Sequence, residues 1–146
     1  MSIGISEIIS ILIAALCGSL IGLERETSGK PAGLRTNVLI CVGAAVFTIF
    51  ANQFGQTNDS SARVIAQIVS GIGFLGAGAI IREHGGTVQG LTTAATIWLI
   101  AGIGMACGAS YYLLAGITTA LTLVVLFILG CLEKVIKKHR KRKKEE

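Results

Sequence analysis

Five times along this sequence an apolar run reaches the length needed to cross a bilayer, at about 3–23, 36–54, 64–81, 91–108 and 111–132. About 30 Å of hydrocarbon takes roughly twenty helical residues. Hydrocarbon offers no water to a backbone N–H or C=O, so each run is driven to satisfy those groups internally, as a helix. The linking segments are short. The sequence therefore predicts an all-α membrane protein, a bundle of five transmembrane helices over residues 1–133, followed by a basic tail at 134–146. A mean hydropathy of +0.73 with only 14% charged residues excludes an ordinary soluble domain.

The third run, RVIAQIVSGIGFLGAGAII from Arg63 to Ile81, is apolar yet rich in glycine. Helices in lipid associate through close packing of small residues, so this run is predicted to be the central helix, packing through Gly71, Gly73, Gly76 and Gly78. Arg63, Gln67 and Ser70 fall on or near one of its faces. Gly71, Gly73 and Gly76 also spell GxGxxG, but a dinucleotide-binding turn needs a preceding strand, a soluble helix and a later acid, none of which this stretch supplies. A break of the membrane helix at these glycines is the other structural option.

On the first run, Ala14, Gly18 and Gly22 form a stripe that Arg25 and Glu26 continue, while Glu24 is predicted to point away. Ser6 and Glu7 resemble a helix start. No basic residue precedes Arg25, so the run reads as a retained helix rather than a cleaved leader. The link ETSGKPAGLR, with Pro31 between Gly29 and Gly33, reads as a tight turn. Asp59, four residues before Arg63, has the spacing of an ion pair on one helix. Thr92, Thr93 and Thr96 open the fourth run as candidates for bonds to helix carbonyls, and the fifth run, with the fewest polar groups, is predicted to be the most exposed to lipid.

Basic residues fix the expected orientation. Adding alternate sides of the membrane, twelve of the 13 Lys and Arg fall on one side and Arg63 alone on the other. The positive-inside rule then places the N-terminus outside and the C-terminus in the cytoplasm. A cytoplasmic-face polar cluster follows, Glu24, Arg25, Glu26, Arg35, Thr36, Arg82, Thr92 and Thr93, with Asp59, Arg63 and Gln67 at the outer face. Within the tail, Lys137, Lys138, Arg140, Lys141 and Arg142 suit anionic lipid headgroups at about 1 kcal/mol per basic residue near the surface. The other role for that tail is a topology anchor, and no folded partner segment marks it for nucleic acid.

Cysteines 17, 41, 107 and 131 are distributed one to a span, without CxxC or a nearby histidine. That pattern is neither a disulfide framework nor a zinc site, and buried thiols behave as small hydrophobes. No cofactor is expected.

Four motifs in order, GLERE at 22–26, GKPAGLRTN at 29–37, QIVSGIGFLGAGAI at 67–80 and GLTTAATIWL at 90–99, resemble the transmembrane domain of the MgtC/SapB family of bacterial inner-membrane proteins. The resemblance covers roughly residues 5–125. It implies five membrane helices in proteins tied to growth at low magnesium, survival in host cells or acid stress. It further implies a regulator of other membrane machines, with the ATP synthase or a magnesium-transporting ATPase as partner for some members. Its characteristic polar residues map onto Glu24, Arg25, Glu26, Arg35, Thr36, Arg63, Gln67, Thr92 and Thr93. Many members continue into a soluble ACT-type domain, whereas this sequence stops at Glu146, which sets aside any function owed to that part.

Three functions compete. A non-enzymatic regulator would act by helix–helix contact with another membrane complex or with a second copy, in a homo-oligomer. A transporter or channel for magnesium, protons or a small solute needs polar groups across the bilayer, yet all eight acids lie at or beyond span ends, and magnesium favours carboxylate oxygens. In that alternative Glu24 or Glu26 is the cytoplasmic gate. An intramembrane enzyme is not expected, since the two histidines lie in a loop and in the tail.

Overall fold

A computed structural model describes the backbone of residues 4–54, 58–82 and 88–145, and the side chains of those residues apart from 58–60, 81–82 and 132–145. Five helices follow in order, α1 (Ile5–Thr27), α2 (Leu34–Phe54), α3 (Asn58–Gly78), α4 (Leu91–Gly108) and α5 (Tyr112–Glu145). All five are long and apolar enough to cross a membrane. Between α3 and α4 lies a feature absent from the sequence prediction, a two-residue antiparallel ladder of β1 (Ile81–Arg82) with β2 (Val88–Gln89). Helix α5 continues through the basic segment, so the tail is an extension of a membrane helix.

The centre of the bundle is α4. It packs against all four other helices, whereas α3 touches only α2 and α4 to any extent. Half of α4's span is buried, against 11% for α3 and 22% for α5. This overturns two expectations at once, because α3 is peripheral and is more exposed than α5. It is also unbroken from Asn58 to Gly78, so GxGxxG sits inside a regular helix.

Close backbone approach decides which helix is central, and the glycines that permit it lie elsewhere. Helix α2 is clasped from two sides. On one side a Cβ at Gly18 would stand 3.0 Å from the Cys41 Cβ and the Val38 Cα, and one at Gly22 would stand 2.9 Å from the Leu34 Cα. From the other side, a Cβ at Gly104 would run into the Cys41 carbonyl, and one at Gly108 into the Ala45 carbonyl. By contrast Gly71, Gly73 and Gly78 have no atom of another element within 4 Å of a built Cβ, and Gly76 makes only ordinary contact with Ala94 at 3.7 Å. Gly18 and Gly22 thus sit close against α2, whereas the space beside Gly71, Gly73 and Gly78 is open. Cys17, Cys41 and Cys107 join Ala14, Ile21, Ala45, Ile100 and Ile103 in the core, while Cys131 is exposed.

Four of the buried hydroxyls are satisfied within their own helices. Thr48, Thr96, Thr119 and Thr122 donate to the carbonyls of Ala44, Thr92, Ala115 and Thr118 at 2.7–2.8 Å. An unpaired hydroxyl in hydrocarbon is costly, and the bond to the preceding turn removes that cost without a partner helix.

Two helix ends share one closure. After α1, Lys30 N–H bonds the Arg25 carbonyl and Gly29 N–H the Glu26 carbonyl, each at 3.0 Å. This is a Schellman motif, and its left-handed position is Gly29 at φ +62°. After α4 the same pair of bonds recurs, Tyr111 N–H to Ala106 and Ser110 N–H to Cys107, but Ser110 occupies the left-handed position at φ +64°.

Candidate functional site

At the end of the bundle that carries the α1–α2 turn, two charges are buried side by side. Glu24 and Arg25 each expose 5% of their side chains, and the Arg25 Nε–H donates to the Glu24 carboxylate. The hydroxyl of Ser28, one turn on, donates to the other carboxylate oxygen at 2.8 Å. Both oxygens are thereby engaged, which is what lets an ion pair remain inside an apolar bundle. The sequence expectation was reversed here: Glu24 faces inward with Arg25, and Glu26 faces outward. Periodicity alone missed this because the pair stabilises both members, so burial follows the pair rather than the glycine stripe.

Glu26 has a different task. Its carboxylate accepts the backbone N–H of Leu34 at 3.0 Å, capping the first turn of α2 from the end of α1. The site beside Gly33 is filled by that carboxylate, so a side chain at 33 would displace it. An anion at a helix N-terminus also favours the local dipole.

Asn37 completes this end and was missed by the sequence reading. It is fully buried. Its amide N–H groups donate to the Ala32 and Gly33 carbonyls, and its Oδ1 is the one buried side-chain polar atom without a partner among the described residues. The signal was an asparagine in the first turn after a Gly–Pro link, where a short amide bonds back to the turn. Of the other predicted members, Thr93 is buried, whereas Arg35, Thr36 and Thr92 are exposed. The side chain of Arg82 lies outside the described residues, as do residues 83–87 with Glu83 and His84. The polar contacts that the structure shows at this end are those of Glu24 with Arg25 and Ser28, of Glu26 with the start of α2, and of Asn37 with the α1–α2 turn.

The opposite end holds a polar pocket of about 150 Å³, lined by Ser6, Glu7, Ser10, Asn52, Gln53 and Ser110 among others. The Gln53 amide donates to Glu7 at 3.1 Å, and the buried Ser10 hydroxyl pairs with the Tyr112 hydroxyl at 2.9 Å. This site is built from α1, the end of α2 and the α4–α5 turn, and no local pattern joins residues 102 positions apart. Ser6 does not cap α1; Gly4 stands at that position and Ser6 bonds Glu7. Of the predicted outer group, Arg63 and Gln67 are exposed and lie on α3 away from this pocket, and the side chain of Asp59 lies outside the described residues.

A second cavity, about 530 Å³, opens sideways between α2 and α3, and Gln67 is its one amide. Lys137, Lys138, Arg140, Lys141 and Arg142 fall on the continuation of α5, where side chains are not described.

Comparison with known proteins finds clear relatives of this chain. The chain is 55% identical over 101 residues to Protein MgtC of Salmonella typhimurium strain LT2, a match covering 69% of this chain and 42% of that protein. It is 48% identical over 123 residues to Protein MgtC of Brucella abortus strain 2308, covering 84% of this chain and 51% of that protein. This chain thus spans about half the length of the curated relatives it matches. No solved structure matches it. The sequence pattern of the MgtC family matches residues 11–135, from the first third of α1 to beyond the apolar part of α5, and this multi-pass membrane protein belongs to that family.

Proposed function

We propose that this chain is a non-enzymatic regulator of ion homeostasis in the bacterial inner membrane, working through helix–helix contact rather than by conducting a solute. The observation that supports the reading is how the buried polar groups are disposed. Mid-membrane hydroxyls are bonded to their own helices, the charged groups of α1 sit at its ends, and the packed centre is formed by glycines against backbone. A conducting path needs free polar groups at successive depths, and here the α1 charges lie at its ends while these buried threonine hydroxyls between are taken up by their own helices. The link to low magnesium, acid stress and host survival is what the family implies for this chain, as is a partner such as the ATP synthase or a magnesium-transporting ATPase.

In this reading the Glu24–Arg25 end faces the cytoplasm and the Glu7–Tyr112 end faces outward, with the basic end of α5 against anionic headgroups. The test is ion flux in proteoliposomes containing only this protein, under a magnesium gradient and separately under a proton gradient. The expected outcome is no flux above empty vesicles. Flux that Glu24→Gln or Glu26→Gln abolishes overturns the regulator and establishes the transporter.

A further inference from the structure

Helix α5 does not stop where its membrane span does. The apolar span ends at Cys131, yet the helix runs on without a break to Glu145. At helical rise, Lys137 stands about 9 Å and Lys144 about 20 Å beyond the span end along one axis. The headgroup layer is about 5–7 Å thick, and its surface potential decays over about 8 Å at physiological salt. Headgroups thus account for the first basic residues of the extension and leave residues 140–144 clear of the surface. A tilt of about 20°, ordinary for a membrane helix, lowers these heights by only about a tenth. Lying flat on the membrane is no alternative, because that takes an apolar face along the helix. Residues 137–144, KKHRKRKK, hold no apolar residue.

The charge pattern also calls for counter-charge along the flank of this extension. From Lys134 to Lys144 there are eight Lys or Arg and no acid, the acids standing only at the two ends, Glu133 and Glu145 with Glu146. Lys137 with Lys141, Lys138 with Arg142 and Arg140 with Lys144 fall four apart, the spacing at which like charges destabilise a helix. At helical periodicity the basic positions go round the whole circumference. A helix charged on every side has no core to pack on, and its place is as a bridge to something else. We propose that residues 140–144 form a post on which an acidic segment of a cytosolic protein docks, clear of the lipid surface. Charge complementarity sets the sign of the occupant, and the height of the post favours a protein over the membrane. Residues 132–146 contain no Asn, Gln, Ser, Thr, Phe, Tyr or Trp with which to read or stack a base, which disfavours nucleic acid. This inference rests on the regulator reading with a cytoplasmic C-terminus and adds the chemistry of the partner.

The experiment uses the purified full chain in nanodiscs of phosphatidylcholine, with and without phosphatidylglycerol. Height is read from a fluorophore at Lys144→Cys in a Cys131→Ser background, where the other three thiols are buried. Iodide in the water is expected to quench this label in both kinds of disc, and a quencher attached to the headgroups is expected to leave it bright. The same label at Lys137→Cys should answer to the headgroup quencher. Docking is read by the anisotropy of a soluble, fluorescent helical peptide rich in Glu and Ala, which should bind both kinds of disc equally well. Changing Arg142, Lys143 and Lys144 together to Gln should weaken binding roughly 3- to 150-fold, the range for three exposed ion pairs. Lys137→Gln with Lys138→Gln should weaken it less in discs that contain phosphatidylglycerol. All these positions lie beyond Leu126, the last residue of the packed core, so the bundle folds in every variant. A label at 144 that answers to the headgroup quencher, peptide binding lost when phosphatidylglycerol is added, or an RNA duplex that binds at physiological salt where the peptide does not, overturns the proposal. Flux is a separate readout: a chain that conducts nothing but fails these tests loses the post and keeps the regulator reading, whereas flux removes the regulator reading whatever the peptide does.

Discussion

The backbone carbonyl of Cys41 lies where a Cβ of Gly104 would have to stand. Helix α4 thus touches α2 backbone to backbone, and on its other side the same α2 residue faces Gly18 of α1, where an added Cβ would stand 3.0 Å from the Cys41 Cβ. Three helices are locked together at one depth by two glycines and a cysteine, with α3 and α5 arranged outside them.

Gly104→Ala is therefore expected to destabilise the bundle by about 2–3 kcal/mol, since the added methyl meets backbone that cannot rotate aside. Gly71→Ala, made in open space, should shift stability by less than about 0.5 kcal/mol or raise it through helix propensity. Unfolding by SDS titration in mixed micelles, followed by circular dichroism, compares the two. Equal effects would show that α3 packs as tightly as α4.

The buried pair at the end of α1 gives an asymmetric prediction. Glu24→Gln leaves the Arg25 charge buried without its counter-ion and is expected to cost about 3 kcal/mol or more. The double variant Glu24→Gln with Arg25→Met should recover much of that loss, because no lone charge remains. Glu26→Ala removes only an exposed cap on α2 and should cost about 1 kcal/mol. The same titration, run on the three variants, distinguishes a buried pair from a solvated one.

Ser110 adopts a left-handed conformation that Gly29 adopts in the matching motif after α1. A side chain there carries strain that glycine does not. Ser110→Gly is expected to stabilise the fold by about 0.5–1 kcal/mol, read as a higher midpoint in the same assay. A lower midpoint would mean that the 3.4 Å contact between the Ser110 and Tyr112 hydroxyls outweighs the strain.

Thiol chemistry tests both packing and orientation. Cys17, Cys41 and Cys107 are buried and Cys131 is exposed. A maleimide should label one thiol per chain in the native protein and four after denaturation. In right-side-out membranes, a reagent that cannot cross the bilayer should reach Cys131 only after the vesicles are opened, if the basic end of α5 is cytoplasmic.

The sequence by itself determined the number and position of the membrane helices and the family, because helix length and hydropathy answer to the bilayer, a solvent each segment meets locally. It also picked out Gly18, Gly22 and the GLERE charges. Only the tertiary structure decided that α4 rather than α3 is central, that Glu24 rather than Glu26 is buried, and that Ser10 meets Tyr112. The glycines of α3 and the Gly104–Gly108 pair of α4 look alike as sequence, since both permit close approach. What distinguishes them is whether a neighbouring backbone arrives there, and that depends on how all five helices share the core at once.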